Sequence, residues 1–198
     1  MTGVQTCALP ICASGLADAI LAAHRAGTPV LGICGGYQML GERLCDPLGV
    51  EAAAGTEVAG LGLLPVTTTF AAEKVTRRVT GTVANEAGPW RAASAQPIEG
   101  YEIHMGETRA TGSAALAPLL TLEGHADGAV AADGSVAGCY LHGLFTSEGA
   151  RRALLRALGW RGTDRPAYDR EREFDRLAQH VRSHLDLERI GAMLRGEG

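Results

Sequence analysis

The stretch TPVLGICGGYQMLGERL, residues 28–44, predicts a strand, a tight turn and a helix in that order. Residues 30–33 form a run without alternating polar residues, which is typical of a strand in a parallel sheet. The residues after the glycine pair favour helix, so the stretch predicts one strand–turn–helix unit of an α/β protein. Cys34 stands at the turn, where the neighbouring glycines have no side chains to cover the backbone.

Cys34 has the sequence surroundings of a nucleophile. A thiol that attacks an amide carbonyl must protrude from the fold, and a sharp strand-to-helix turn holds it there in strained backbone. Gly32 and Gly36 would give the turn clearance, and the backbone N–H of Gly35 would face a developing oxyanion. The positive end of the following helix would favour the thiolate. The alternative is a buried structural cysteine, which needs no glycines on both sides, so we favour the nucleophile.

Composition predicts one soluble globular protein in a reducing compartment. Of its 198 residues 46% are apolar and 20% charged, which excludes a disordered or fibrous chain. The net charge of −4 makes nucleic acid a poor partner, and no apolar run is long enough to span a membrane. The five cysteines are odd in number and scattered, so we expect a cytoplasmic protein. Four of them are interpreted as structural: Cys7, Cys12, Cys45 and Cys139.

Helices at both ends of the chain enclose a β-rich middle. Residues 14–27 predict a helix capped by Ser14 and ended by Gly27. The middle contains GLGLLPVTTTF, KVTRRVTGTV, IEGYEIHMGETRA and GAVAADGSVAGCYLHGLF, which are β-rich segments punctuated by glycines. Helices resume after Ser147, and an apolar stripe at residues 174, 177, 181 and 185 changes phase at Asp186. We therefore predict two final helices, the second capped by Asp186.

A nucleophilic thiol needs a proton carrier, and His142 is the best placed of the six histidines. It closes the apolar segment GCYLHGLF and precedes Gly143, which predicts a strand end, where open α/β sheets build their sites. A satisfied core histidine explains His142 equally well from these residues alone. His24, His180 and His184 lie on predicted helices, and His125 lies in a glycine-rich turn. His104 belongs to the segment YEIHMG.

Two motifs give the chain a specific resemblance. GICGGYQMLG is similar to the G-x-C-x-G-x-Q elbow of class I glutamine amidotransferases. GYEIHMG together with CYLHGLF resembles the glutaminase domain of the cobyric acid synthase family, and the similarity runs from about Ser14 to the end. The resemblance implies a flavodoxin-like α/β domain with a mostly parallel sheet and flanking helices.

The resemblance also implies an activity and residue roles. Cys34 would be the nucleophile toward glutamine and His142 its partner, while Gly35, Gly36 and Gln38 would bind the substrate. The ammonia would serve ATP-dependent amidation of adenosylcobyrinic acid a,c-diamide in cobalamin biosynthesis, a ligase reaction. Near the interface with the acceptor side the resemblance puts Tyr101, Glu102 and His104. A plain strand with a buried tyrosine and an exposed glutamate and histidine accounts for these three residues equally well.

The chain departs from the pattern in three places. The commoner amidotransferases have a glutamate two residues after the histidine, where this chain has Leu144, so a Cys–His dyad is implied. No phosphate-binding loop is present, so ATP and Mg²⁺ would bind in a synthetase domain that this chain lacks. Residues 1–13 match nothing in the family and contain no glycine-bearing oxyanion loop. We interpret residues 14–198 as the glutaminase domain, residues 1–13 as foreign, and the leading strands as missing.

Other functions stay open at this stage. The elbow also fits a cysteine α/β hydrolase, with Asp127 or Asp133 as its acid, although Gln38 and YEIHMG have no place there. The glutaminase of cobyrinate diamide synthase, or of the lipid II amidating enzyme, is a second alternative. A truncated, inactive module is a third. The cysteine and histidine spacings predict no metal site.

Overall fold

The structure, a computed structural model, describes residue 11 and residues 13–112, 116–162 and 169–196. The chain divides into two compact units, Met1–Arg161 and Gly162–Gly198. The segment predicted to be foreign lies outside the described residues, apart from Ile11 and Ala13. Among the described residues, no helix is both long and apolar enough to cross a membrane.

The described part of the first unit holds three α-helices and ten strands. The helices are α1 (Leu16–Arg25), α2 (Gly35–Leu40) and α3 (Glu148–Ala157). The strands are β1 (Val30–Ile33), β2 (Arg43–Asp46), β3 (Thr56–Ala59), β4 (Val66–Val83), β5 (Pro97–Ala110), β6 (Leu120–Leu122), β7 (His125–Asp127), β8 (Ala129–Val130), β9 (Val136–Cys139) and β10 (Leu141–His142). The strand–turn–helix unit predicted around Cys34 is therefore present as β1 and α2.

The strands form two sheets. The first sheet has the order β1-β9-β8, and β1 runs parallel to β9. The second sheet has the main order β10-β5-β4-β2-β3, with β6 and β7 beside β4. The predicted α/β class is confirmed, but the expectation of mostly parallel pairing is corrected. Only β1–β9 and β2–β4 pair in parallel in the described strands, because parallel pairs need crossovers and the β-rich middle uses direct hairpins.

One long hairpin dominates the second sheet. Strands β4 and β5 pair from Val66 opposite Ala110 to Thr82 opposite Pro97, with a register shift between Phe70 and Val75. Two of the predicted β-segments thus join into the single strand β4, and residues 71–73 between them lie at the irregularity. The hairpin places alternate residues of β5 on opposite faces, which decides where the candidate site residues of this strand lie.

Helix α1 confirms the predicted helix but not its predicted cap. The helix begins at Leu16, and its N-cap is Gly15 in left-handed backbone. Ser14 instead donates its hydroxyl proton to the carbonyl of Ile11. The glycine at the cap position adopts a positive φ without steric cost, so the chain enters the helix one residue later than predicted. Gly27 follows the helix with a φ of 88°, as expected for a helix stop.

Glycines let helix α2 lie directly against β1 and β9. A Cβ atom at Gly32 of β1 would be 2.6 Å from the backbone of Gly36 in α2. A Cβ atom at Gly138 of β9 would overlap the ring of Tyr37. The buried Tyr37 ring packs edge-on against Tyr140, with ring centroids 5.3 Å apart. The close approach therefore fixes where the turn at Cys34 points.

The chain changes sheets twice at one place. Strand β7 pairs with β6 in the second sheet, whereas β8, two residues later, pairs with β9 in the first. Strand β9 then pairs with β1 in the first sheet, and β10 pairs with β5 in the second. The second change occurs at Tyr140, between Cys139 and Leu141. The two sheets are thus joined by neighbouring crossovers, which we call the sheet junction, residues 127–129 and 139–141.

The second unit consists of two helices in its described part. They are α4 (Arg170–His184) and α5 (Leu187–Leu194), and Asp186 caps α5 by accepting the backbone N–H of Arg189. The predicted pair of helices and the cap are therefore confirmed. Side chains of the predicted apolar stripes are exposed: Phe174, Leu177, Val181, Leu185, Leu187, Ile190 and Leu194.

We expect Gly32→Ala to lower the free energy of unfolding by about 3 kcal/mol, because its Cβ would meet backbone atoms that cannot rotate away. Gly36→Ala is the matched control, since a Cβ there would meet no atom within 4 Å, and it should retain the wild-type stability. Urea denaturation followed by circular dichroism measures both variants. Equal losses of stability in the two variants would contradict this packing.

Candidate functional site

Cys34 occupies a strained turn between β1 and α2. Its φ is 54° and its ψ is −115°, a conformation that costs a residue with a side chain about 1–3 kcal/mol. The backbone N–H of Cys34 donates to the carbonyl of Cys139 at 2.8 Å, and its own carbonyl accepts from Gln38 at 3.1 Å. The turn is thus held between the end of β9 and the first turn of α2. The sharp elbow predicted from the sequence is present.

The thiol of Cys34 is half-buried and bonded to the backbone of β5. Its sulfur donates to the carbonyl oxygen of Ile103 at 3.4 Å. Burial raises the pKa of the Cys34 thiol, and the backbone N–H of Gly35 lowers it by less. The Gly35 N–H at the start of the helix thus lowers the pKa, as predicted, but desolvation outweighs it and the pKa of the thiol is raised.

His142 lies on the neighbouring sheet, beside the same stretch of β5. It is opposite Tyr101 in the β10–β5 pair, so the two side chains share a face of the sheet. Ile103, which accepts the Cys34 thiol, follows Tyr101 on that face. The Nε2 atom of His142 is buried and has no hydrogen-bond partner among the described residues. Both predicted catalytic side chains are therefore next to residues 101–103, with the imidazole nitrogen unpartnered.

Tyr101, Glu102 and His104, the candidate interface residues of YEIHMG, are divided between the two faces of β5. Tyr101 is about half exposed, at 50%, whereas Glu102 is buried at 2%. The simpler interpretation of a buried tyrosine and an exposed glutamate is therefore wrong. The strand alternation puts Glu102 and His104 together on the face opposite Tyr101.

Glu102 is held in a buried ionic network. Its carboxylate accepts from Nε of Arg77 at 2.5 Å and from Nε2 of His125 at 3.1 Å. Burial opposes ionisation, but the hydrogen bonds from Arg77 and His125 outweigh it and hold the pKa of Glu102 below its ordinary value. His125, which the sequence places in a glycine-rich turn, is thus a partner of Glu102. The sequence offers no local signal for this pair because 23 residues separate them.

His104 and the network border a cavity of about 350 Å³. The ring of His104 stacks on Tyr140 at 3.9 Å between centroids, and its Nδ1 lies 2.9 Å from the carbonyl of Gly106. Other residues that line the cavity include Arg77, Glu102, Glu107, Arg109 and His125. The cavity lies on the face of β5 opposite Ile103 and Tyr101.

Gln38 is buried at 1% exposure in helix α2. Its Nε2 donates to the hydroxyl of Tyr140 at 3.3 Å, and its Oε1 has no partner among the described residues. The Tyr140 hydroxyl continues to Thr108 at 2.6 Å, and Thr108 pairs with Thr68 at 2.7 Å. Gln38 therefore begins a buried polar chain behind the elbow. Any contribution of the Gln38 side chain to glutamine binding would act through this series of hydrogen bonds.

Both acids offered for a cysteine hydrolase have other bonding partners. Asp127 accepts the backbone N–H groups of Tyr140 and Leu141. Asp133 accepts the backbone N–H and the hydroxyl of Ser135. Neither carboxylate accepts a hydrogen bond from His142, so neither Asp127 nor Asp133 forms the acid–histidine pair of a hydrolase with it. Leu144, at the place of the missing glutamate, is buried in the apolar core.

The remaining cysteines do not share the elbow setting. Cys45 lies half-buried in β2, and Cys139 is buried in β9, both as free thiols. Cys7 and Cys12 lie outside the described residues. Within the described ranges, no group of three or more His, Cys, Asp or Glu side chains could hold a metal ion.

The carbonyl of Ile103 and the bonds of Asp127 are not predicted from the sequence. A backbone acceptor leaves no trace in side-chain patterns, so the Ile103 contact was not predictable. Asp127 was considered only as a hydrolase acid, and its real position depends on the meeting of two sheets.

Two solved structures have a similar fold. The structure of PurLQS from Thermotoga maritima matches with a TM-score of 0.52 and 17% identity, covering 72% of this chain and 68% of that one. A crystal structure described as a glutamine amidotransferase matches with a TM-score of 0.51 and 16% identity, covering 79% and 75%. At these identities the likeness concerns the fold alone.

Sequence relatives are closer. Cobyric acid synthases of Salmonella choleraesuis and Salmonella enteritidis are each 46% identical over 187 residues, which is 89% of this chain. The chain spans only 36% of the length of these relatives. The model of the CobB/CobQ-like glutamine amidotransferase domain matches residues 11–150, which include the elbow and His142. The chain therefore belongs to the CobB/CobQ-like glutamine amidotransferase family.

Proposed function

We propose that this chain is the glutaminase part of a cobyric acid synthase and that it releases ammonia from glutamine. The observation that carries the proposal is the strained elbow, which presents Cys34 at the end of β1 within a chain 46% identical to cobyric acid synthases. The identity favours this enzyme over cobyrinate diamide synthase or the lipid II amidating enzyme. The bonds of Asp127 and Asp133 disfavour the hydrolase.

The first chemical step is attack of Cys34 on the side-chain amide of glutamine. The sulfur forms a bond to the amide carbon, and the carbonyl oxygen takes up the electron pair as an oxyanion. The backbone N–H of Gly35, which already interacts with the sulfur, would donate to this oxyanion. Gly36 would leave space for the substrate, since a Cβ there would meet no protein atom within 4 Å.

His142 would move the protons. It accepts the thiol proton and passes it to the departing nitrogen, so that ammonia leaves when the C–N bond breaks. Water then attacks the thioester, giving glutamate and the free thiol. Its unpartnered Nε2 is compatible with this role. Because the resting thiol donates to Ile103, it must leave that carbonyl before reacting.

The acceptor reaction belongs to the remainder of the longer enzyme in this proposal. That part would use ATP and Mg²⁺ to amidate adenosylcobyrinic acid a,c-diamide in the cytoplasm. Glu102 and His104, which line the cavity, would face the synthetase domain on one side of β5. Tyr101 would contribute from the opposite face, next to His142. The residue roles and the domain assignment of residues 14–198 remain predictions.

We expect Cys34→Ala to abolish glutamine hydrolysis, with a loss of about 10³-fold or more, because no other thiol lies on an elbow in the described residues. Glutamate release, coupled to glutamate dehydrogenase, measures the rate. Cys45→Ala, at another half-buried free thiol, is the control and should retain activity. In a chain extended by the synthetase domain, Cys34→Ala should still support amidation with added ammonium. Loss of both activities would count against this division of labour.

We also expect the alkylation of Cys34 by iodoacetamide to rise with pH through a midpoint above that of an ordinary cysteine. Burial keeps the resting thiol protonated at neutral pH, and only the thiolate reacts. Mass spectrometry of the tryptic peptide 26–43, in which Cys34 is the only cysteine, follows the rate. A midpoint below the ordinary cysteine value would show that burial does not dominate.

A further inference from the structure

The sheet junction decides how the two proposed catalytic residues are placed relative to each other. Cys34 follows β1 and is tied to Cys139 at the end of β9, so it belongs to the first sheet. His142 lies in β10 and pairs with Tyr101, so it belongs to the second sheet. Only Tyr140 and Leu141 separate Cys139 from His142 along the chain. A shift of this short crossover would therefore move the imidazole relative to the thiol.

Backbone N–H groups at this crossover need partners that neither sheet supplies. The N–H of Tyr140 lies 3.1 Å from each carboxylate oxygen of Asp127, and the N–H of Leu141 lies 3.2 Å from Oδ2. Asp127 is itself buried, at 5% exposure. Buried N–H groups without acceptors are costly, so the carboxylate holds the crossover in one position.

Asp127 is fixed in turn by the other crossover of the junction. It pairs with Leu120 at the end of β7, and Gly128 leads directly into β8 of the first sheet. Gly128 has a φ of 81°, and a Cβ there would overlap the carbonyl oxygen of Gly138 in β9. The carboxylate is thus attached to a rigid point where both sheets meet.

The electrostatic surroundings of Asp127 do not stabilise the negative charge of its carboxylate. Burial raises the pKa of the carboxyl, the Tyr140 N–H lowers it, and the negative charge of Glu102 raises it further. His104, Tyr37 and Cys139 are the other titratable groups that interact with it. The role of this carboxylate is therefore to accept hydrogen bonds through its two oxygens, and not to pair with a positive charge.

We propose that Asp127 is a positioning residue for glutamine hydrolysis, whose carboxylate holds the 139–141 crossover and so sets His142 in place for Cys34. This role rests on the proposed function. Asp127 contacts neither Cys34 nor His142 by a hydrogen bond, and it acts through the backbone of Tyr140 and Leu141. A displacement of about 1 Å between reacting groups is enough to reduce a rate about 100-fold.

The test compares Asp127→Ala, Asp127→Asn, His142→Ala and the double variant Asp127→Ala/His142→Ala in the purified chain. We expect Asp127→Ala to lower kcat for glutamine about 100-fold and to leave KM within about threefold. Asp127→Asn keeps one carbonyl acceptor and should lose less. The double variant should be no slower than His142→Ala, because Asp127 acts only through the histidine.

Asp46→Ala is the matched control for a purely structural carboxylate. Asp46 is fully buried in β2, and its oxygens accept the backbone N–H groups of Val50, Glu51 and Ala52 at 2.7–2.8 Å. Its loss should lower the unfolding midpoint without lowering kcat at a temperature where the variant stays folded. If Asp127→Ala behaves like Asp46→Ala, with kcat retained, the positioning role is refuted.

A second readout keeps the proposal separate from the proposed activity. In the proposed arrangement, the rate of Cys34 alkylation at pH 7 reports on the His142 imidazole and needs no substrate. We expect Asp127→Ala and His142→Ala to slow it equally, with no further slowing in the double variant. Independent, multiplying effects would overturn the role of Asp127. If the wild-type chain hydrolyses no glutamine but this pattern holds, the proposed function fails, and only the placement of His142 by Asp127 is supported.

If Asp127→Ala does not fold, the same cycle is run with Asp127→Asn. Circular dichroism at the assay temperature identifies which variants are folded. A folded Asp127→Asn protein with the wild-type kcat and alkylation rate would also refute the proposal, provided that His142→Ala changes both. This variant removes the charge and one acceptor while keeping the shape of the side chain.

Discussion

The close contact of helix α2 with strands β1 and β9 is the constraint on which the candidate site depends. Gly32 and Gly138 leave no room for a Cβ atom, so the chain must pass from β1 to α2 within one residue. That residue is Cys34, and its positive φ is the geometric result. The strain of about 1–3 kcal/mol persists because the turn is bonded to both Cys139 and Gln38.

The meeting of two sheets is the second organising feature. The proposed nucleophile belongs to a small sheet with one parallel pair, and the histidine belongs to a larger, mainly antiparallel sheet. Strands that change sheets leave backbone N–H groups without ladder partners. At this junction the buried Asp127 accepts them. A buried carboxylate is therefore part of the joint between the two sheets.

Strand β5 connects the features of the site on its two faces. One face carries Tyr101 beside His142. The backbone carbonyl of Ile103 in the same strand accepts a hydrogen bond from the Cys34 thiol. The other face carries Glu102 and His104 toward the cavity. In this resting arrangement burial dominates over the Gly35 N–H, so the thiol is protonated. Helix α2 has six residues, which limits what its dipole can offset.

The sequence by itself determined the local elements of this protein and the identity of its elbow. The apolar run before Cys34, the glycines around it and the capping by Asp186 depend on neighbouring residues, so the strand, the turn and the last two helices could be predicted. The tertiary structure alone decided the mixed pairing of the sheets, the exposure of Tyr101 with the burial of Glu102, and the bonds of His125 and Asp127. These features join residues that are distant in the chain. Their partners are fixed by strand register and by burial, which no local pattern encodes.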